Sequence, residues 1–219
     1  SYYEGATVCI DLNLNDVCDT HEPTSITDSN GSFTLPTILQ GYQIIAHIPV
    51  GSIKHSDTML SNVDRALTFY TMSDGVDSNG KLMVNAVTTA IVARMKSYDI
   101  DFNKAKSITA MKLNIGKSFL LENFNDSPRL STTQKQLIQN TSRTYLEHIE
   151  SALAENKTLH FKKFLALQGE TENPWKEAAI DWTVDSGLDF LSDGVFSLFG
   201  LGDKDASSEE LNEIASDLD

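Results

Sequence analysis

The sequence predicts an α+β fold: a small antiparallel β-sandwich over residues 1–83, a helical bundle over 84–169 and an acidic amphipathic tail over 170–219. Three observations lead there. Short β-branched and aromatic runs, separated by turn signals, occupy the first part of the chain. Near Val84 the apolar spacing changes from strand-like to helical. From Glu170 onward the chain becomes strongly acidic while keeping an apolar stripe.

Four strands are predicted at residues 7–11, 31–35, 42–50 and 66–72. The turn signals between them are DSNG at 28–31, LQG at 39–41 and SDGVDSNGK at 73–81. Short strands at this spacing suit a sandwich. The first helix carries apolar residues at 84, 87, 91 and 95. Asp101 is placed to cap a second, with Phe102, Ala105, Ile108, Met111 and Ile115 on one face. After the break at DSPRLS, Ser131 and Gln134 form a capping-box pattern for a long helix bearing Leu137, Ile138, Tyr145, Ile149 and Leu153. Residues 159–167 continue the helical character. Asn173-Pro174 then opens the tail helix, with proline at its first position. Ile180, Val184, Leu188, Leu191, Val195 and Leu198 form its apolar stripe. Asp181, Asp185, Asp189 and Asp193 line an adjacent one. Gly187 and Gly194 weaken this helix by about 1 kcal/mol each. Ser207 and Glu210 open a last short helix.

Charge is unevenly placed. Of the net −14, residues 170–219 contribute −12, with 14 acidic and two basic side chains. Such a tail is repelled by nucleic-acid phosphates and by anionic lipid, so no nucleic-acid partner is expected. No apolar run is long enough to predict a membrane span. The start at Ser1-Tyr2-Tyr3 has no basic and apolar leader, so an export signal is expected to have been removed or never present. Two cysteines, Cys9 and Cys18, stand nine positions apart. They are thiols if the chain is cytosolic and a disulfide if it is exported. The disulfide is the favoured reading, because the polar loop between them needs its ends held together.

That loop, CIDLNLNDVCDTHEP, is the most specific signal in the chain. Counted from Asp11, side-chain oxygens fall at positions 1, 3, 5, 9 and 12, as Asp11, Asn13, Asn15, Asp19 and Glu22. Val17 at position 7 offers a backbone carbonyl. This is the ligand order of a twelve-residue calcium loop, and the all-oxygen set favours Ca2+ over zinc or a transition metal. His21 at position 11 is expected to point away. Position 6, ordinarily glycine with φ > 0, is Asp16. No EF-hand helices flank the loop: a β-like run precedes it and Pro23 follows it.

The stretch from Gly5 to Leu35 resembles the opening of calcium-binding β-sandwich modules of bacterial surface proteins. Similar are the B-repeats of serine-aspartate-repeat adhesins and the prealbumin-like domains of exported lipoproteins. The shared pattern is a first strand, a D-x-N-x-N-x-x-x-D-x-x-E-P loop and T-D-x-N-G-x-F, here Thr27 to Phe33. Residues 84–116 look like the helical segment that often follows in marine bacterial lipoproteins. The resemblance implies an added ligand in Asp28 and a structural or adhesive role.

No H-E-x-x-H, G-x-S-x-G, phosphate loop or dinucleotide fingerprint is present, so no enzyme is expected. The expected function is an exported, cell-surface or extracellular structural or adhesive protein, calcium-stabilised and self-assembling. Its partners are then other copies of itself or another surface protein. The alternative is a module binding a glycan or a protein; a secreted hydrolase stands third. The tail is expected to dock its apolar stripe on the chain's own helices or on a neighbouring subunit.

Overall fold

The computed structural model describes residues 2–35, 40–56, 59–124, 127–153 and 158–170. The expected tail helices lie outside these residues. Among the described residues, seven short strands are followed by four α-helices. The strands are β1 (Tyr2–Glu4), β2 (Thr7–Asp11), β3 (Thr24–Ile26), β4 (Gln43–Ile48), β5 (Ile53–His55), β6 (Leu60–Asn62) and β7 (Leu67–Met72). They form two antiparallel sheets, one ordered β3-β2-β4-β7 and the other β1-β5-β6.

The predicted strands at 7–11, 42–50 and 66–72 correspond to β2, β4 and β7, the three longest. The predicted strand at 31–35 does not form. Instead Asp28 closes a turn on itself: its Oδ1 accepts the N–H groups of Asn30 and Ser32, and its own N–H donates to the Ser32 carbonyl. Gly31 takes φ +70° there, and a Cβ on it would stand 3.0 Å from Tyr2 Cβ. The strand that pairs with β2 is β3, on the other side of this turn.

β2 and β4 are the inner strands, and their register sets the site. Cys9 stands opposite Ile45, and Ile45 opposite Tyr70; Asp11 stands opposite Gln43, and Gln43 opposite Met72. Because side chains alternate, these residues share one face. Val8, Ile10, Ile44, Ala46, Phe69 and Thr71 share the other. Both faces are buried along β2 and β4.

The helices are α1 (Ala86–Tyr98), α2 (Phe102–Leu113), α3 (Thr132–Ala152) and α4 (Phe161–Leu167). Asn85 caps α1 in a reciprocal box with Thr88. Asp101 caps α2 by accepting the Lys104 N–H. Ser131 and Gln134 form the expected box on α3. The sequence predicts one buried stripe on α1, but every residue from Ala86 to Arg94 is buried. The reason is position: β7, α2, α3 and α4 all pack around α1. The Tyr70 N–H on the edge of β7 donates to Thr89 Oγ1, which seals that edge with a side chain of α1.

One apolar cluster runs without interruption from Val8, Ile10 and Ile44 through Ala90 and Ile91 to Ile138, Ile149 and Phe164. The strand and helical parts therefore share a core across residue 84. That core closes on a buried ion pair. Arg94, fully buried, donates through Nη2 to Glu170 Oε1 at 2.5 Å and through Nη1 to Thr109 Oγ1 at 2.8 Å. Glu170 also accepts from the Tyr98 hydroxyl at 3.0 Å. Glu170, which charge alone groups with the tail, is a core residue.

Candidate metal centre

The polar loop leaves the end of β2 at Asp11 and returns to β3 at Thr24. Cys9 and Cys18 form a disulfide, with Cα atoms 5.6 Å apart. It pins the middle of the loop onto the face of the sheet that carries Cys9, Ile45 and Tyr70. A fully buried strand residue thus anchors an exposed loop.

Inside the loop, side chains substitute for secondary structure. Asp11 accepts the Asn15 N–H on Oδ1 at 3.1 Å and the Asp16 N–H on Oδ2 at 3.0 Å. Glu22 accepts the Leu12 N–H at 2.8 Å and the Asp19 N–H at 2.9 Å, one on each oxygen. Asn13 and Asn15 both donate their amide nitrogens to Asp19 Oδ2, at 2.7 and 3.0 Å. Their carbonyl oxygens accept the N–H groups of Asn15 and Val17. Five of the predicted ligands are thus linked in one hydrogen-bonded loop. Val17 and His21 are exposed. Asp28 is not brought to it: the β2–β3 register puts it beyond Thr7, at the opposite end of β2 from Asp11.

Asp16 takes φ +65°, the left-handed conformation that the loop pattern reserves for position 6. Leu14 shares that region at φ +59°. The Asp16 carboxylate turns away from the loop. It pairs with Lys96 on α1 and accepts the Gln43 amide at 2.7 Å. Lys96 also lies 5.3 Å over the Phe161 ring of α4, and the Tyr70 hydroxyl reaches the Asp16 carbonyl at 3.5 Å. Gln43, Tyr70 and Lys96 were not found from the sequence. A loop motif contains no signal for them; only the pairing of Asp11 with Gln43 and the packing of α1 bring them in.

The electrostatics are unbalanced. Asp11 is completely buried and Glu22 nearly so. Burial pushes the Asp11 carboxyl above its ordinary value; hydrogen bonds from Asp16 and Asn15 pull it down, while Glu22 and Asp16 add like-charge repulsion. Among the described residues Lys96 is the cation paired with this acidic loop, and it pairs with Asp16. Asp11 and Glu22 have no ion-pair partner there. Gln43 Oε1, buried beside Asp11, has no hydrogen-bond partner among the described residues. The donor set suits a hard divalent cation: Asp11 Oδ1 and both Glu22 oxygens each accept one N–H and retain a second lone pair, while Asp11 Oδ2 accepts both the Asp16 N–H and, at 3.3 Å, the Gln43 amide. Among the described residues, however, no group of three or more His, Cys, Asp or Glu side chains stands so that it could hold a metal ion. The Asn13 and Asn15 amides would have to turn to present their oxygens.

Comparison with protein-family models, curated proteins and solved structures returns no match for this chain. Fold and site therefore rest on their own geometry. No helix among the described residues is long and apolar enough to cross a membrane.

Proposed function

We propose that this chain is an exported, non-enzymatic structural or adhesive module whose sandwich-like strand region is stabilised by one calcium ion. Asp11, Asn13, Asn15, the Val17 carbonyl, Asp19 and Glu22 hold the ion; Asp28 is left out. The observation that supports this reading most is the pair of buried carboxylates, Asp11 and Glu22, without a cation of their own among the described residues. Burying unpaired charge is costly, and a bound divalent cation offsets it. The left-handed Asp16 and the Cys9–Cys18 bridge fit the same loop. The bridge also suits an oxidising, extracellular setting.

The ion's role is mechanical. It ties the end of β2 to the return into β3, and Asp16 carries that order to α1. The free edges bear on how such a module meets partners. β3 and β6 are three residues each, too short to favour assembly by strand addition.

Thermal unfolding of the full chain in calcium, in magnesium and in chelator tests the reading. An ion present at a hundred times its Kd adds about 2.7 kcal/mol to stability, so the midpoint is expected to rise in calcium and fall in chelator. An unchanged midpoint, with no calcium by elemental analysis of the dialysed protein, overturns it.

A further inference from the structure

On the side of the four-stranded sheet facing away from the disulfide lies a cavity of about 360 Å³. Tyr3, Phe69 and Phe124 give it aromatic walls, and Leu146 of α3 closes one side. Tyr3 and Phe69 pack ring to ring at 5.8 Å. Lys54 from β5 and Arg143 from α3 also line it, and neither is ion-paired among the described residues. Apolar walls with a few fixed charges are the usual composition of a binding site. This one asks for an occupant that is aromatic or aliphatic on one side and anionic on the other.

We propose that the occupant is the chain's own segment 174–201. Its stripe from Ile180 to Leu198, widened by Phe190, Phe196 and Phe199, is more apolar surface than a solvated helix exposes. Asp181, Asp185, Asp189 and Asp193 recur beside that stripe and supply the charge that Lys54 and Arg143 lack. A cavity of this size takes a few side chains, so one or two of the phenylalanines enter it and the aspartates meet the two cations at its rim.

Reach permits it. Glu170 is fixed against Arg94 in α1, and the cavity borders Asn85 and Ala86 at the start of the same helix. That helix has 13 residues and is about 20 Å long. Residues 171–180 span up to roughly 33 Å when extended. Tethering also raises the segment's effective concentration to about the millimolar range, which favours it over a second copy. This inference stands independently of the calcium reading.

The chain's two tryptophans, Trp175 and Trp182, both lie in this segment, so tryptophan fluorescence of the full chain, excited beyond the tyrosine absorption band, reports on it alone. Wild type is expected to resist acrylamide quenching. K54E/R143E is expected to raise the quenching constant at least twofold with far-UV dichroism unchanged, and adding D189K/D193K is expected to restore it. Carbodiimide cross-linking of an equal mixture of 14N and 15N wild-type chains needs no variant. It is expected to join Lys54 to Asp181, Asp185, Asp189 or Asp193 within one chain. Quenching indifferent to the charge reversal overturns the proposal. So do Lys54 links only outside 174–201, or links between differently labelled chains, which assign the cavity to a second copy.

Discussion

Asp16 does two jobs that conflict. Its backbone adopts a left-handed conformation that costs an L-residue roughly 1–2 kcal/mol, with aspartate among the residues that tolerate it best. Its carboxylate, meanwhile, joins the loop to Gln43 and Lys96. D16A removes the carboxylate and keeps the strain, so it is expected to cost about 2 kcal/mol in urea unfolding, with the partly exposed Lys96 pair contributing at most about 1 kcal/mol of that. D16G relieves the backbone and is expected to be about 1 kcal/mol less damaging. Equal losses would show that the backbone conformation carries no strain. Glu122 offers a pH-dependent counterpart. Burial pushes its carboxyl up, but hydrogen bonds from Ser78 and Ser127 and the charge of Arg129 outweigh this and hold it below the ordinary range. A depressed carboxylate stabilises the fold above its unfolded pKa, and that stability fades as pH falls through the folded value. E122Q is therefore expected to cost about 1–2 kcal/mol at pH 7. The gap to wild type should close in acid below the usual glutamate range; a gap constant with pH would exclude the linkage.

Among the elements, the loop and its bridge are the most self-contained. Closing a segment of this length lowers the entropy of the unfolded chain by an amount worth about 2.5 kcal/mol. Reduction or the C9A/C18A pair is expected to lower stability by up to that amount, read as a lowered urea midpoint. Free thiols titrated in the native, unreduced protein would refute the bridge. The helices are specified just as locally. Asn85, Asp101 and Ser131 each satisfy N–H groups that the first turn leaves open. The Asp101 and Ser131 signals lie within four residues, which is why the starts of α2 and α3 were legible; α1 was legible from its apolar spacing, and its Asn85 cap was not. The strands were less so. β1, β5 and β6 have three residues each and too little pattern to announce themselves. Residues 31–35 have the composition of a strand, but the Asp28 turn uses part of their backbone.

For the whole molecule, the Arg94–Glu170 pair ties the last described residue into the core. Removing one partner of a buried ion pair leaves the other uncompensated, at a cost of about 3–5 kcal/mol. E170Q is expected to destabilise the full chain by that order in urea unfolding. A loss under 1 kcal/mol would show that the pair is dispensable. A deletion meant to separate body from tail therefore has to begin after Glu170; one that begins at it removes a core residue and confuses loss of the tail with loss of the fold.

Legible in the chain alone is what short stretches and the gross charge balance carry. That includes the cation-loop pattern, the cysteine pair that brackets it, the helix caps, the longest strands and the division between a nearly neutral body and an acidic tail. Tertiary structure alone decided which distant side chains meet. Lys96 reaches the loop from 80 residues away and Gln43 from 27. Arg94 meets Glu170 across 76. Asp28, which the resemblance placed among the ligands, sits in a turn beyond Thr7, at the opposite end of β2 from Asp11, because the β2–β3 register puts it there. The physical reason is that caps, turns and short loops are satisfied by neighbours in the chain. Burial of an arginine, the partner of a glutamine and the end a strand presents depend on pairing and packing between elements.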